Sequence, residues 1–115
     1  MTRGKVVLTP FLFTDLTASK VRPAVVVSNS SRVGTDVILA FVSTAFDAIN
    51  LSPTDELLLD TDADFPVTGL KKSSVFKVDK LATVQKSTIL GEIGEVSFAL
   101  QAKLDEKLKI ALDLK

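Results

Sequence analysis

Lys20-Val21-Arg22-Pro23-Ala24-Val25-Val26-Val27-Ser28-Asn29 is the stretch whose reading decides the fold. Proline has a fixed φ and no N–H, so within a sheet it is tolerated at the first residue of a strand or on an edge. The spacing therefore predicts a strand headed by Pro23. Ala24 to Val27 contains no polar break, as expected of a central barrel strand buried on both faces. Arg22 stands at the mouth of that rigid element. A guanidinium held there can grip a phosphate or carboxylate with two parallel hydrogen bonds. Alone, it is more simply a solvated or salt-bridged cation contributing about 0–1 kcal/mol. Its neighbours in space decide between the two.

Working outward, Gly4 to Thr9 reads as a first strand stopped by Pro10, and Phe11 to Lys20 as a loop that begins apolar and ends in turn formers. Phe11 and Phe13 are two apart, so one can cap the core while the other faces a groove; phenylalanine's usual burial favours the core for both. Ser28 to Thr35 is a polar hairpin-type connection, and Asp36 to Ser43 a third strand, apolar on both faces. It ends in the hydroxyl pair Ser43-Thr44, residue types that commonly form turns and caps.

Ala45 to Thr54 is a loop and Asp55 to Asp60 a short strand. Asp60, Asp62 and Asp64 alternate as in a calcium loop, but the glycine and the distal glutamate of an EF-hand are missing, so a solvated acidic turn is expected. Phe65 to Ser74 is a loop carrying Lys71 and Lys72 into Val75 to Asp79. There Lys77 and Asp79 share one face, and Phe76 and Val78 the other. The wet face is either a solvated exterior or a groove wall bearing one cation and one carboxylate. Lys80 to Val84 continues that strand, and Thr88 to Gly94 forms the last. Ser97 then caps an amphipathic helix whose apolar positions are Leu100, Leu104, Leu108, Ala111 and Leu112. Its charged positions Lys103, Asp105, Glu106, Lys107 and Lys109 face away.

Composition bounds the chemistry. The 115 residues suit one domain spanning 1–115. No apolar run is long enough to cross a bilayer, cysteine is absent and no secretory pattern opens the chain, so a cytoplasmic protein is expected. Fourteen basic and fourteen acidic residues cancel, which argues against bulk capture of nucleic acid but leaves room for a local basic groove. With neither histidine nor cysteine, the usual proton shuttle, the thiolate nucleophile and nearly every zinc or copper site are removed. Catalysis would fall to Arg, Lys, Asp, Glu, Ser or Thr, or to an oxygen-ligated cation. Lacking Trp and Tyr, the chain would stack bases on phenylalanine or arginine. Strands followed by one helix point to an α+β, mainly β fold or a small barrel with an appended helix.

Taken together, these segments resemble the MazF/PemK (Kid) family of type II toxins, in its PemK-like branch. The resemblance is carried by Arg3-Gly4-Lys5-Val6-Val7-Leu8 with Pro10 to Leu16, by Lys20 to Ser28, by Thr68 to Val75 with Asp79 to Thr83, and by Gly91-Glu92-Ile93-Gly94 leading to Ser97. It implies an SH3-like small barrel of the CcdB/Kid/MazF type with a C-terminal amphipathic helix, dimerising through the barrel. The activity implied is that of a metal- and cofactor-independent endoribonuclease acting on single-stranded RNA. A cognate antitoxin would neutralise it, and DNA would be met only indirectly, through that antitoxin. The family's catalytic arginine falls on Arg22 and its catalytic threonine on Ser43, or on Thr44 if the register slips by one. A basic-then-acidic pair falls on Lys77 and Asp79, where lysine replaces an arginine. Arg22 would stabilise the phosphate, Ser43 would bond a phosphate oxygen and Asp79 would orient the 2′-OH or the arginine. Phe11, Phe13, Lys71 and Lys72 are the expected substrate contacts. A CcdB-like topoisomerase inhibitor and a non-catalytic interaction module are the alternatives on the same fold.

Overall fold

Ala24, Val25 and Val26 have no exposed surface at all, because the strand that carries them lies inside a sheet covered on both sides. The computed structural model describes residues 1–12 and 19–115, and of Phe11, Leu12 and Ser19 the backbone alone. Six strands, β1 (Lys5–Leu12), β2 (Ser19–Val26), β3 (Asp36–Ser43), β4 (Asp55–Leu58), β5 (Ser74–Gln85) and β6 (Gly91–Glu95), precede one helix, α1 (Phe98–Ala111). The sheet order is β4-β5-β3-β2-β1-β6, every pairing being antiparallel. It curls into a mainly β half-barrel with the helix against it, the expected α+β architecture. Among the described residues no helix is long and apolar enough to cross a membrane.

Strand alternation sorts the apolar residues into two cores. Val6, Val25, Ala40, Val42, Phe76 and Val78 face the helix, where Leu100 and Leu104 close over them. Val7, Ala24, Val26, Val37 and Leu39 line the opposite face, with Phe41, Val84 and Ile89 packed against them. Each fully buried Val, Leu or Phe contributes roughly 1.5–3 kcal/mol. An unbroken apolar run is thus what a strand between two cores requires.

Several boundaries differ from the sequence expectation. β1 does not stop at Pro10 but runs on to Leu12, and Pro10 pairs with Val21. The carbonyls of Gly4 and Leu8 are taken from the β6 side, by Val96 and Leu90, so Pro10, of the same parity, turns its donorless nitrogen that way. β6 pairs no further than Leu8, so no ladder bond is lost there. The last strand begins at Gly91, and Lys86–Thr88 form a 3₁₀ turn. Pro66–Thr68 form another, within the segment expected to be a loop. The helix is capped as expected, Ser97 Oγ accepting from the Leu100 N–H at 3.0 Å. Its apolar stripe ends early, since Leu112 is the C-cap and is 53% exposed.

Asp105 does not face away. Its Oδ1 accepts from Arg3 Nη2 at 2.6 Å and from Gln101 Nε2 at 2.9 Å, while Arg3 Nε donates to the Val27 carbonyl at 2.9 Å. One arginine therefore joins the N-terminus, the end of β2 and the helix. Partial burial pushes the Asp105 carboxyl up. The Arg3 and Gln101 hydrogen bonds, with the charges of Arg3 and Lys109, outweigh it and hold the carboxyl below its ordinary value.

A second tie depends on glycine. A Cβ on Gly94 would clash with the backbone of Val67 and Thr68, and one on Gly69, at φ 74°, with the Ile93 carbonyl. β6 and the Pro66–Thr68 turn touch backbone to backbone, which only glycine permits.

Two stability predictions follow from these ties. Gly94→Ala should destabilise by about 2 kcal/mol or more in urea unfolding, whereas Gly91→Ala, in open space, should lie within about 0.5 kcal/mol of the parent. Asp105→Asn should cost about 0.5–1 kcal/mol at pH 7, the pair being partly exposed. Because the folded carboxyl is depressed, that difference is fully present above the unfolded value near 4 and disappears as pH falls through the folded one. Urea titrations of both proteins from pH 7 to pH 3 measure it.

Candidate active site

The site originates in a missing donor. Leu8 and Pro23 face each other across β1 and β2, and the Leu8 carbonyl is taken from the far side by Leu90 N–H at 2.8 Å. In an antiparallel ladder the backbone of Pro23 therefore points at β3, and it has no hydrogen to give. The β2–β3 ladder covers Val26, Val25 and Ala24 and goes no further. Beyond that point β2 continues along β1 as far as the Leu12–Ser19 pair, while β3 continues along β5 through Val42–Phe76 and Ser43–Val75. The sheet splits, and Pro23 lies within β2 at the split rather than at the head of the strand.

A pocket of about 400 Å³ opens there, lined by Arg22, Phe41, Val42, Ser43, Ala45, Lys77 and Lys80. Arg22 comes from the residue before the proline and Ser43 from the last residue of β3. Arg22 is half-buried with its Nε enclosed. Ser43 Oγ donates to the Ala45 carbonyl at 3.2 Å and accepts from the Ala45 N–H at 3.1 Å, so the turn leaving β3 holds the hydroxyl in place. Strand alternation separates the two hydroxyls. Thr44 is exposed and lines a different pocket of about 350 Å³, together with Leu8, Pro23, Leu70, Lys71, Lys72 and Ile93.

Lys77, paired with Phe41, reaches the first pocket by regular alternation, and Lys80 through an irregularity in β5. Between Phe41 and Ala40 of β3 the partner on β5 jumps from Lys77 to Leu81, leaving Val78, Asp79 and Lys80 out of that ladder. Phe76 and Val78 stay in the core, as the alternation predicts. Lys77 is half-buried and its Nζ lies 3.4 Å from Oδ2 of Asp55, a carboxylate only 5% exposed. Asp79 is exposed and lines neither pocket. Of the sequence candidates, the fold thus brings Arg22, Ser43 and Lys77 together and sets Thr44, Lys71 and Lys72 in the second pocket. Phe13 lies outside the described residues, and of Phe11 only the backbone is described.

Lys80 and Phe41 escaped the sequence reading. Lys80 is placed by the bulge, which no turn residue announces; Phe41 was hidden in an apolar run, where alternation puts it on the Arg22 side. The floor formed by Phe41, Val42 and Ala45 is apolar, and the charged lining residues are all cationic. Such a lining is suited to an anion, since an apolar floor strengthens each charged hydrogen bond made over it. Its donors, an ever-charged guanidinium and ammonium groups beside a hydroxyl, suit a phosphodiester.

A family model described as PemK-like, MazF-like toxin of type II toxin-antitoxin system matches residues 2–112. The chain is 35% identical over 103 residues to Endoribonuclease MazF9 of Mycobacterium tuberculosis (strain ATCC 25618 / H37Rv), spanning 84% of this chain and 82% of that protein. It is similar to a solved endoribonuclease in complex with its cognate antitoxin from a mycobacterial species. There the TM-score is 0.77 at 25% identity, over 100% of this chain and 97% of the other. A MazE–MazF structure from Deinococcus radiodurans, TM-score 0.75 at 17% identity over 100% and 97% of the two chains, shares the fold.

Proposed function

Because the chain belongs to the PemK-like, MazF-like toxin family of type II toxin-antitoxin systems, we propose that it is an endoribonuclease that cleaves single-stranded RNA. The supporting observation is the convergence of Arg22, Ser43 and Lys77 on one pocket. RNA supplies its own nucleophile. The 2′-oxygen attacks the adjacent phosphorus, the bond from phosphorus to the 5′-oxygen breaks, and the products are a 2′,3′-cyclic phosphate and a 5′-hydroxyl. The nucleophile's proton passes to solvent, and the leaving 5′-oxygen takes one from solvent.

Arg22 cannot serve as a base, since its guanidinium stays charged. Its task is to bind the non-bridging oxygens and stabilise the charge that grows on them. Ser43 turns its one proton from the Ala45 carbonyl to a phosphate oxygen, while the Ala45 N–H keeps the hydroxyl oriented. Lys77 adds a second positive charge. Lys71, Lys72 and Thr44 meet RNA outside the reacting centre, in the second pocket. Asp79, expected to orient the 2′-OH or the arginine, lies outside the pocket lining and has no part in this reaction.

The physiological partners in this reading are a cognate antitoxin, through which alone DNA is met, and a second copy of the chain in a homodimer, with the protein acting in the cytoplasm. Light scattering of the purified protein measures the dimer.

Incubation with mixed-sequence RNA in EDTA tests the reaction. Cleavage leaving 2′,3′-cyclic phosphate ends is expected. Intact RNA together with inhibition of a topoisomerase would overturn the reading. Arg22→Ala should lower the cleavage rate by about 10²–10³ while the protein stays folded. Ser43→Ala should fall toward the lower end of that range, and Thr44→Val, outside the reacting centre, should keep kcat within about twofold of the parent and act on KM instead. Equal losses at Ser43 and Thr44 would reject the division of labour between the pockets.

A further inference from the structure

We propose that Asp55 is a positioning residue for the nuclease reaction, acting through Lys77; the proposal rests on the endoribonuclease reading. Asp55 is the first residue of the edge strand β4 and sits directly opposite Lys77 in the β4–β5 ladder. Cross-strand neighbours of opposite charge attract, and here the carboxylate is nearly enclosed while the ammonium is one-third exposed. A buried carboxylate is tolerated when it is paired and hydrogen-bonded. Oδ2 of Asp55 accepts from the Ser52 N–H at 3.0 Å and from Lys77 Nζ at 3.4 Å.

Both bonds act on the pocket. The bond to Ser52 fastens the end of the loop that begins at Ser43, the hydroxyl-bearing residue; the Asp55 N–H completes that turn by donating to the Ser52 carbonyl at 3.0 Å. The bond to Lys77 restrains a flexible four-carbon side chain that lines the pocket. Lysine pays rotamer entropy when it is fixed on a ligand, and the tether imposes that order before RNA arrives. Asp55 also moderates the positive charge of the pocket, being the one carboxylate in contact with its lysines among the described residues.

These features set a signature that a merely structural carboxylate would not give. Asp55→Asn keeps the acceptor for the Ser52 N–H but releases the ammonium and raises the local charge by one. It should lower kcat about ten- to a hundredfold, the range for a displaced group, with KM unchanged or lower and a steeper loss of RNA affinity with salt. If Asp55 acts through Lys77, the same change in a Lys77→Met background should cost less than about twofold.

The experiment measures kcat, KM and salt dependence on one oligoribonucleotide for the parent, Asp55→Asn, Lys77→Met and the double variant, with folding followed by circular dichroism. Should Asp55→Asn fail to fold, Asp55→Glu carries the test. It keeps the charge but moves the anchor, and should lose kcat about tenfold with affinity held. A folded variant at Asp55 with parental kcat, or an equal cost in the Lys77→Met background, overturns the inference and leaves the nuclease reading standing. A parent protein that cuts no RNA overturns the reading itself, and the inference with it.

Discussion

One absent hydrogen-bond donor organises the molecule. At Pro23 the backbone of β2 is turned toward β3 and offers no hydrogen to the ladder. The two strands cease pairing there, and each continues with its other neighbour. A closed ladder would have placed Arg22 and Ser43 in cross-strand crowding on a continuous surface. The split leaves a cleft between them, walled by backbone that the two cores hold in place. The cleft is thus a result of that one residue within β2.

The cores keep the two edges of that split apart. Because β2 and β3 are apolar on both faces, neither can rotate without exposing Val25 and Ala40 or Val26 and Leu39. A strand polar on both faces would have a softer register. The helix is fastened independently by Arg3, which reaches the Val27 carbonyl and Asp105 at once. The Pro66–Thr68 turn, which leads to Lys71 and Lys72, is fixed by the close approach of Gly69 and Gly94 to opposing backbone. Each pocket therefore stands on elements anchored by packing, which keeps the short-range order a site needs.

A nuclease without histidine needs charge in the right place more than it needs a titrating group. A guanidinium is a rigid planar fork, whereas an ammonium on a four-carbon stem is free to change position. Apolar walls raise the strength of each charge and also make an untethered ammonium prone to stray toward solvent. The carboxylate of Asp55, behind Lys77 rather than in the pocket lining, restrains that ammonium without offering a negative charge to the phosphate. Asp79, two residues along, would have been a competitor had the strand stayed regular. The bulge at Val78–Lys80 brings Lys80, itself exposed, to the pocket lining and leaves Asp79 outside it.

Local rules sufficed for the run Ala24 to Val27, for β3 and its two apolar faces, for the Ser97 cap and for Arg22 as the residue to watch, since each depends on side-chain period or on the chemistry of one residue. The barrel with its helix was legible from the order of segments and their resemblance to a family. Other features needed the assembled chain. Whether Pro10 ends a strand depends on where β6 stops. Which hydroxyl meets Arg22 depends on the parity of β3 relative to β2. That Lys80 enters the pocket while Asp79 does not depends on a bulge, and that Asp105 faces Arg3 rather than water depends on a residue 102 positions away. The sequence by itself determined which segments are strands and which chemistry was available. Only the tertiary structure decided which of those groups meet, because pairing register and strand splitting are set by contacts between residues distant in the chain, and periodicity along one segment carries no record of them.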